Sequence, residues 1–333
     1  MKKFINDPFD FVEELTEGII KAHGDYYRAD KGDLRIIVRQ DAPIKGKVAI
    51  ATGGGSGHLP VFMGYVGKGL ADGACIGNVF SSPSAGQMKR VTKAIDGGAG
   101  VLYLYGRYQG DMVNFNSAAE ESIKNGIRVE SVIVSDDVAS APPERHSERR
   151  GVAGIFFAYK IAGAMANEMA SLDEVKRVTQ KAVDNTRSLG IALGPCTIPL
   201  VGKPNFEISD DEMEIGMGIH GEQGVERVKM RTADEIAATL VDRVVNDMPF
   251  VAGDEVAVLV NSLGATPLEE LYVLYRKIDE LLREKGLVLH RPYVGRYACS
   301  MEMQGMSLSL MKLDDELKRL LDAPADSPFF KQF

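Results

Sequence analysis

Three short segments of the chain combine glycine or serine with a side chain that can transfer or hold a proton. They are ATGGGSGHLP with His58, GNVFSSPS with Ser82, and YGRYQGDMVNF with Asp111. Glycine allows a backbone to approach a ligand closely, and an aspartate beside a bound hydroxyl can act as a general base. Together the segments predict a small-molecule site at which a hydroxyl group loses its proton.

Each segment also has an ordinary structural explanation. A glycine turn can leave His58 in solvent, a serine before proline is usually a turn residue, and an aspartate near a helix start most often caps the helix. The glycine segment matches neither GxGxxG nor GxxxxGK[ST], the patterns that define nucleotide-binding loops. Taken singly, the segments leave both explanations open.

A fourth segment, MEIGMGIHGEQG, alternates apolar residues with small or polar ones from Met213 up to His220. This period of two predicts a β-strand with Glu214, Gly216 and Gly218 on its other face. A face with so little apolar bulk usually has a ligand or another backbone segment against it. We therefore expect one of the two beside His220.

Strand-like runs precede the segments that carry His58 and Asp111, and helix-like stretches follow those segments. The clearest runs are KVAIAT, GVLYLY and VESVIV. Strand, loop and helix in repetition predict an α/β fold, with a mostly parallel sheet and flanking helices. Ligands bind outside the carboxyl ends of such strands, so we expect His58, Ser82 and Asp111 on one edge of the sheet. The helix that begins at the capping box of Ser171 should run to about Ser188.

After Pro195 strands outnumber helices, which predicts a second, α+β domain. The strand-like runs are NFEIS, MEIGMGIH, EVAVLVNSL, LVLHRPYVG and MSLSLMKL. We divide the chain into an α/β domain at residues 1–188, the α+β domain with His220 at residues 189–313, and a C-terminal helical segment at residues 314–333. That last segment could pack on the first domain.

The composition narrows the classes of partner. The chain has 333 residues and a formal net charge of -8, and no run of lysine or arginine exceeds two. We therefore expect neither nucleic acid nor an anionic membrane as a partner. No apolar stretch reaches the roughly 20 residues that span a bilayer, and acidic residues interrupt the N-terminal segment, so we expect a cytoplasmic protein.

Cysteine and aspartate are the residues most able to hold a metal here. Cys75, Cys196 and Cys299 are widely spaced and form no CxxC pattern, which favours three buried thiols over a zinc site or a disulfide framework. Asp136 and Asp137 stand in the loop SDDVASAPPERHSERRG, where hydrogen bonds that shape the loop explain them better than a metal does. We expect no metal site.

The order of these segments resembles that of the dihydroxyacetone kinase K-domain family. The matching segments are TGGGSGHLP, GNVFSSPS, GRYQGDMVNF, DDVASAPP, RRGVAG, KIAGAMA and MGIHGEQG. The resemblance covers about residues 8–322, and GGGSGH with GIHGE is a combination specific to the family. It implies a two-domain α/β homodimer that binds short-chain ketoses.

The resemblance also implies roles for single residues. His220 would hold the substrate covalently as a hemiaminal, through addition of a ring nitrogen to the ketone carbonyl, and the glycines beside it would leave room for the ketose. Asp111 would take the proton of the attacking hydroxyl with help from His58, while Gly55 and Ser82 would hydrogen-bond the substrate. Only a carbonyl next to a hydroxymethyl group can form this bond, so glycerol is refused.

The family divides its reaction between separate units. Its nucleotide-binding L unit holds Mg²⁺ and ATP or ADP, so we expect none of these cofactors on this chain. The resemblance implies a kinase subunit whose L partner uses ATP or is recharged by a phosphotransferase protein. Two alternatives stay open, a ketose-sensing transcriptional coactivator without kinase turnover and a nucleotide-binding enzyme that uses GGGSGH as a phosphate loop.

Two positions depart from the best-known bacterial members of the family. Those members carry a lysine that contacts substrate and then an asparagine, where this chain has Gly106 and Arg107. The forms YGRYQGD and SDDVASAPP resemble a branch that includes kinases of four-carbon ketoses such as erythrulose. Our hypothesis is that Gly106 and Arg107 border the substrate, that Gly106 leaves extra room, and that the substrate is a tetrulose.

Overall fold

The first of two six-stranded β-sheets forms from the predicted parallel strands. The computed structural model describes residues 2–333. The strands of the first sheet are β1 (Tyr27–Asp30), β2 (Asp33–Arg39), β3 (Ala49–Ser56), β4 (Gly73–Val79), β5 (Val101–Gly106) and β6 (Val129–Val134). Their spatial order is β1-β2-β4-β3-β5-β6; β3 to β6 run parallel, and β2 is antiparallel to both of its neighbours. The predicted mostly parallel sheet is confirmed.

Helices cover both faces of this sheet. They are α1 (Phe11–Ala22), α2 (Ala85–Ile95), α3 (Gln109–Lys124), α4 (Ile155–Asn167) and α5 (Leu172–Asp184). Met88 and Val91 of α2 and Phe115 of α3 pack on one face, while α4 and α5 pack on the other. The sequence of α4, IFFAYKIAGAMAN, is apolar on almost every side, as expected of a helix between two layers.

The second sheet is mixed. The remaining elements are β7 (Thr186–Gly194), β8 (Glu212–Ile215), β9 (Glu226–Lys229), α6 (Ala233–Asp247), β10 (Glu255–Ser262), α7 (Leu268–Glu284), β11 (Val288–Gly295), β12 (Gln304–Leu313), α8 (Asp315–Asp322), β13 (Ala325–Ser327) and β14 (Phe330–Gln332). The sheet order is β11-β10-β12-β7-β8-β9, with β10 and β11 parallel and the other neighbours antiparallel. α6 and α7 cover its outer face through residues such as Leu240 and Leu274. The α+β class predicted for this part is confirmed.

One apolar core runs from the first sheet through α4 to the second sheet. It joins Ile50 and Leu104 of the first sheet, Phe156 of α4, and Leu259 and Met311 of the second. α8 lies against α4 in the same layer. The division of the chain into domains stays a prediction, because this core is continuous across the proposed boundary.

The helix that starts after Ser171 is shorter than predicted. It ends at Asp184, and β7 begins two residues later, so Ser188 lies in a strand and not at a helix end. Ser188 is buried, and its hydroxyl donates to the carboxylate of Asp136 in the loop after β6. This tertiary contact favours the strand over the helix suggested by the local pattern.

Two strand predictions after Pro195 also need correction. NFEIS forms a bend and open loop, not a strand. The strand predicted for MEIGMGIH ends at Ile215, because Gly216 adopts a φ of 83° and turns the chain out of the sheet. His220 therefore stands in a loop that follows β8.

The strand order opens a crevice at the carboxyl end of β3. β4 lies on one side of β3 and β5 on the other, so the chain leaves β3 in one direction and returns to its opposite side. In open parallel sheets this switch point is where ligands bind. The segments with His58, Ser82 and Asp111 follow β3, β4 and β5, and all three reach this edge.

Candidate active site

A small cavity of about 30 Å³, open to solvent at its mouth, lies at this edge below the loop that follows β8. Five of the predicted site residues border it. They are Gly55, His58, Gly106, Asp111 and His220. The fold thus brings together side chains from β3, α3 and the His220 loop, which are far apart in the sequence.

Ser82 and Arg107 are not among the residues that line this cavity. Ser82 accepts a hydrogen bond from Asn114 at 3.2 Å, and it lies close enough to Asp111 to oppose the rise in the pKa of that carboxyl group. Arg107 follows Gly106 at the end of β5 and is half-buried. Direct contact of either residue with a substrate stays a prediction.

His58 is a neutral ring whose tautomer is fixed by the fold. It is 4% exposed, and its Nδ1 lies 2.8 Å from the carbonyl oxygen of Cys299. Burial, and then the nearby His220, lower the pKa of His58 to about 3. A carbonyl oxygen can only accept a hydrogen bond, so Nδ1 carries the proton. The buried Nε2, which has no partner within residues 2–333, therefore holds a free electron pair.

His220 has the same tautomer for a different reason. Its Nδ1 lies 3.0 Å from Oε1 of Glu222, and its backbone N–H donates to Oε2 at 2.9 Å. Burial alone would raise the pKa of Glu222, but the hydrogen bond and charge of His220 lower it to about 2. The carboxylate is therefore ionised and accepts the proton of Nδ1, which leaves Nε2 as the nucleophilic atom.

Three aromatic rings surround His220. The ring centroids of His58, Phe80 and Tyr108 lie 4.9, 5.2 and 4.7 Å from that of His220. Tyr108 also donates a hydrogen bond to the carbonyl oxygen of Gly151 at 3.1 Å. These rings limit the access of water to the imidazole. Sequence reasoning missed both Tyr108 and Glu222, although Glu222 stands two residues after His220 in the motif GIHGE.

Asp111 is a buried carboxyl group with one uncommitted oxygen. It is 7% exposed, and its Oδ1 has no hydrogen-bond partner in the described part of the chain. Burial raises the pKa of Asp111 to about 6, against the opposing effects of Ser82 and His220. The N-cap of α3 is Tyr108, so Asp111 lies in the first turn and does not cap the helix. A carboxyl group of this kind can act as a general base near neutral pH.

Unfavourable backbone angles concentrate around His58. Phe62, Phe80 and Met301 adopt φ values of 69°, 57° and 54°, in the left-handed region that such side chains rarely enter. Phe80 stacks on the His58 ring at 5.0 Å, Phe62 meets its edge at 6.3 Å, and the Met301 N–H donates to the Gly57 carbonyl. Strain of about 1–3 kcal/mol per residue is typical of functional sites.

The glycine segment is packed against protein and leaves no cradle for a phosphate group. A Cβ atom on Gly53 would stand 2.6 Å from the Cys75 carbonyl oxygen, and one on Gly54 would stand 2.1 Å from the Phe62 ring. On Gly55 it would stand 2.5 Å from the backbone nitrogen of Ser81. The segment therefore does not fit a nucleotide, which argues against the nucleotide-binding alternative.

The glycines beside His220 do not make room for a ligand. A Cβ atom on Gly216 would meet Ala139 at 2.5 Å, and one on Gly218 would meet Oε2 of Glu222 at 2.1 Å. Protein groups fill this space, so the interpretation of these glycines as ketose space is wrong. The sequence left open whether a ligand or another part of the protein lies against the glycines. The structure favours another part of the protein.

Gly106 borders the cavity, and Tyr108 limits the space beside it. A Cβ atom there would stand 3.2 Å from both the Gly151 carbonyl oxygen and the ring of Tyr108. The hypothesis that Gly106 leaves room for a longer ketose stays a prediction.

The polar loop after β6 has the shaping role expected of it. Asp136 accepts hydrogen bonds from the N–H groups of Val152 and Gly154, both at 2.8 Å. Residues 2–333 contain no cluster of three or more side chains suited to a metal ion. In the same span, no helix combines the length and apolar character that crossing a membrane requires.

The fold and the site define a two-sheet α/β protein in which two histidines and an aspartate line one cavity at the edge of the first sheet. More narrowly, the chain belongs to the Dak1 domain family, whose model matches residues 17–329. The family resemblance inferred from the sequence is confirmed.

Individual relatives carry kinase or regulatory names. The PTS-dependent dihydroxyacetone kinase 2, dihydroxyacetone-binding subunit DhaK, of Listeria innocua is 46% identical over 331 residues, 99% of each chain. The D-erythrulose kinase of Mycolicibacterium smegmatis is 44% identical over 332 residues, 100% of this chain but 57% of that protein. Among solved structures, the dihydroxyacetone kinase operon co-activator Dha-DhaQ has a TM-score of 0.88 at 31% identity, over 94% of this chain and 96% of that one.

Proposed function

We propose that this chain is the ketose-binding subunit of a dihydroxyacetone kinase-type phosphotransferase. The observation that carries the proposal is the meeting of three uncommitted atoms in one cavity, Nε2 of His58, Nε2 of His220 and Oδ1 of Asp111. A nucleophile, a hydrogen-bond acceptor and a base suit a compound that has a carbonyl next to a hydroxyl group. Relatives with kinase names support the same assignment.

In the first step, His220 captures the ketose. Nε2 donates its electron pair to the carbonyl carbon, the C=O π pair moves to the oxygen, and that oxygen takes a proton from a water molecule, which leaves as hydroxide into the solvent. The product is a hemiaminal whose imidazole ring carries a positive charge. Glu222, ionised and 3.0 Å from Nδ1, stabilises that charge. A compound without a carbonyl group, such as glycerol, cannot take this step.

In the second step, Asp111 would remove the proton of the terminal hydroxyl group of the ketose. The hydroxyl oxygen would form a bond to the terminal phosphorus of the donor, and the bond from that phosphorus to the ADP leaving group would break. Nε2 of His58 accepts a hydrogen bond from the same substrate and fixes its orientation. Because phosphoryl transfer depends mainly on positioning and charge stabilisation, a subunit that fixes the sugar can leave the donor to another polypeptide.

The donor belongs to a partner in this proposal. A nucleotide-binding L subunit with Mg²⁺ and ATP or ADP would dock over the cavity mouth, and the chain would form a homodimer. The Listeria innocua relative, which has the length of this chain, is named as a subunit of a PTS-dependent kinase. The erythrulose kinase has additional sequence, since this chain covers 57% of it.

The substrate is dihydroxyacetone or a tetrulose such as erythrulose. Relatives of nearly equal identity, 46% and 44%, carry names with one or the other compound. We propose a direct competition between dihydroxyacetone and both erythrulose enantiomers, measured as phosphorylated product with an L subunit present. A strong preference for dihydroxyacetone over both enantiomers would rule out the tetrulose.

The covalent step can be tested without the partner. Dihydroxyacetone labelled with carbon-13 at its carbonyl carbon should give a protein-bound tetrahedral signal in NMR spectra of the wild type, and His220→Ala should abolish it. A wild type that yields product without any bound tetrahedral signal would contradict the hemiaminal. An absence of both signal and product with every ketose would contradict the proposed function.

A ketose-sensing coactivator is the second candidate, because Dha-DhaQ has a TM-score of 0.88 with this chain. The uncommitted oxygen and the raised pKa of Asp111 favour catalysis, since sensing needs no base. Turnover separates the two candidates. Ketose binding without phosphorylation by any L subunit would favour the coactivator.

A further inference from the structure

Arg150 connects the loop after β6 to both ends of the loop that carries His220. Its Nη2 donates to the Gly216 carbonyl at 3.2 Å, where that loop begins, and its Nη1 lies 3.9 Å from Oε2 of Glu222, near its end. The family comparison and the sequence patterns give Arg150 no role. Arg150 is not among the residues that line the cavity in which the ketose would bind.

Asp137 fixes the guanidinium group of Arg150. Oδ2 of Asp137 accepts from Nε at 2.9 Å and from Nη2 at 2.7 Å, and the Asp137 side chain is 3% exposed. The backbones are joined as well, because the Asp137 N–H donates to the Arg150 carbonyl at 3.1 Å. Two contacts to one carboxylate and a link between the backbones leave the arginine little freedom of orientation.

Gly218 shows how closely this group of charges packs. A Cβ atom on Gly218 would stand 2.1 Å from Oε2 of Glu222 and 2.4 Å from Nη1 of Arg150. The N–H of Gly218 donates to the Glu222 carbonyl at 2.9 Å. The position of Glu222 thus depends on Arg150 and on the absence of a side chain at Gly218.

We propose that Arg150, oriented by Asp137, is a positioning residue that acts through Glu222 to aim His220 at the ketose carbonyl. The inference rests on the proposed function, since it concerns the same covalent step. A shift of about 1 Å in a reacting group costs on the order of 100-fold in rate, so a small movement of Glu222 would be visible.

The charges of this group also balance the product of the first step. Asp137 and Glu222 carry two negative charges and Arg150 one positive charge, so the group is net negative until His220 becomes a cation in the hemiaminal. Without Arg150, two carboxylates would lie close together with no positive charge between them, so Glu222 would move away from its place beside His220. The ionisable groups beside His220 are Glu222, Asp111, His58 and Tyr108, while Arg150 and Asp137 reach it only through Glu222.

The test measures the bound carbon-13 signal of labelled dihydroxyacetone as a function of ketose concentration. We expect Arg150→Met to weaken capture by about 10- to 100-fold. Arg150→Lys should recover part of the loss, and Asp137→Asn, which frees the guanidinium group, should also weaken capture. Gly218→Ala should reproduce the weakening without removal of any charge.

Arg149→Met is the matched control. Arg149 is the preceding residue, fully buried, and it makes a bidentate ion pair with Asp247, with both distances 2.6 Å. Its replacement should lower the melting temperature but leave capture by the folded protein unchanged. If Arg150→Met does not fold, Gly218→Ala and Arg150→Lys decide the question.

The inference is overturned if Arg150→Met and Gly218→Ala capture the ketose as the wild type does. It is also overturned if Arg149→Met loses capture to the same extent, because the effect would then be a general loss of structure. A wild type that forms no adduct refutes the covalent step itself, and this result is distinct from either outcome.

Discussion

Two histidines with the same tautomer face one cavity, and a hydrogen bond at Nδ1 fixes the tautomer of each. The Cys299 carbonyl fixes His58, and the Glu222 carboxylate fixes His220. A neutral carbonyl partner leaves His58 a weak acceptor, whereas an ionised partner prepares His220 to carry a positive charge. The supporting role that we propose for His58 and the covalent role that we propose for His220 therefore differ through the hydrogen-bond partner of each ring.

Asp111 should make the protein less stable at the pH where it works. Its pKa is raised from 3.8 to about 6, so the folded state binds this proton more tightly than the unfolded chain. The resulting contribution to stability is complete below about pH 4 and is lost as pH rises through 6. We expect Asp111→Asn to raise the free energy of unfolding at pH 7.5 by about 1–3 kcal/mol and to abolish phosphoryl transfer.

Urea unfolding at pH 7.5 and turnover with an L subunit measure these two effects. The exposed Asp173→Asn is the control and should change neither. In the wild type, kcat should fall as pH drops below about 6, where Asp111 becomes protonated. A flat rate between pH 5 and 8 would contradict the role of Asp111 as base.

Glu222 should matter through its charge as well as its hydrogen bond. Glu222→Gln keeps an oxygen that can accept from Nδ1 of His220 but cannot balance the positive ring of the hemiaminal. We expect ketose capture to weaken by about 10- to 100-fold, measured from the bound carbon-13 signal. Glu226→Gln changes an exposed carboxylate and should have no effect. Equal capture by wild type and Glu222→Gln would show that the hydrogen bond alone suffices.

At the scale of strands and loops, the sequence predicts the elements whose positions depend on local patterns. It does not predict those that depend on contacts between distant residues. The strands β3, β5 and β6 and the convergence of His58 with Asp111 follow from strand–loop–helix repetition. The end of β8 at Gly216 does not, because alternation alone cannot show a positive φ angle. Glu222 was missed although it stands two residues after His220, because alternation predicted a strand here and the contact of Glu222 with Arg150 forms only in the folded chain.

Gly55 tests how far the end of β3 tolerates a side chain. A Cβ atom there would stand 2.5 Å from the Ser81 nitrogen, so the loop after β4 must move. We expect Gly55→Ala to destabilise the protein by about 1–3 kcal/mol and to lose ketose capture. Gly18→Ala is the matched control, because its Cβ meets nothing within 4 Å in α1, and it should stabilise by about 0.5–1 kcal/mol. Normal capture by Gly55→Ala would show that the loop adapts.

At the scale of the whole molecule, the helix α4 between the two sheets contains a buried lysine. Lys160 of α4 is fully buried, and its Nζ donates to the Ala323 carbonyl. Burial, and then Arg291, lower the pKa of Lys160 from 10.5 to about 8, with Asp322 opposing the shift. The charged lysine therefore costs stability at neutral pH.

Stability should rise with pH in the window set by this lysine. Between about pH 8 and 10.5 the unfolded chain binds a proton on this lysine that the folded chain does not. The cost of the buried charge therefore decreases, and the free energy of unfolding increases, as pH rises through this range. Lys160→Met should remove this dependence and add about 1–3 kcal/mol at pH 7. Gln332 still donates to the Ala323 carbonyl at 3.1 Å, so that group keeps a partner.

Urea unfolding at pH 7, 8.5 and 10 measures the slope. Lys93→Met removes an exposed lysine of α2 and should leave the slope unchanged. If Lys160→Met keeps the wild-type increase in unfolding free energy with pH, other groups must cause that increase.

The shared helix α4 has a consequence for how the chain comes apart. Its apolar surface faces both sheets, so removal of either sheet would expose Phe156 and its neighbours to water. The two halves should therefore melt in a single cooperative transition, and neither should accumulate as a soluble fragment when expressed alone. A ketose bound at the edge of one sheet would then protect the distant sheet from proteases to the same degree.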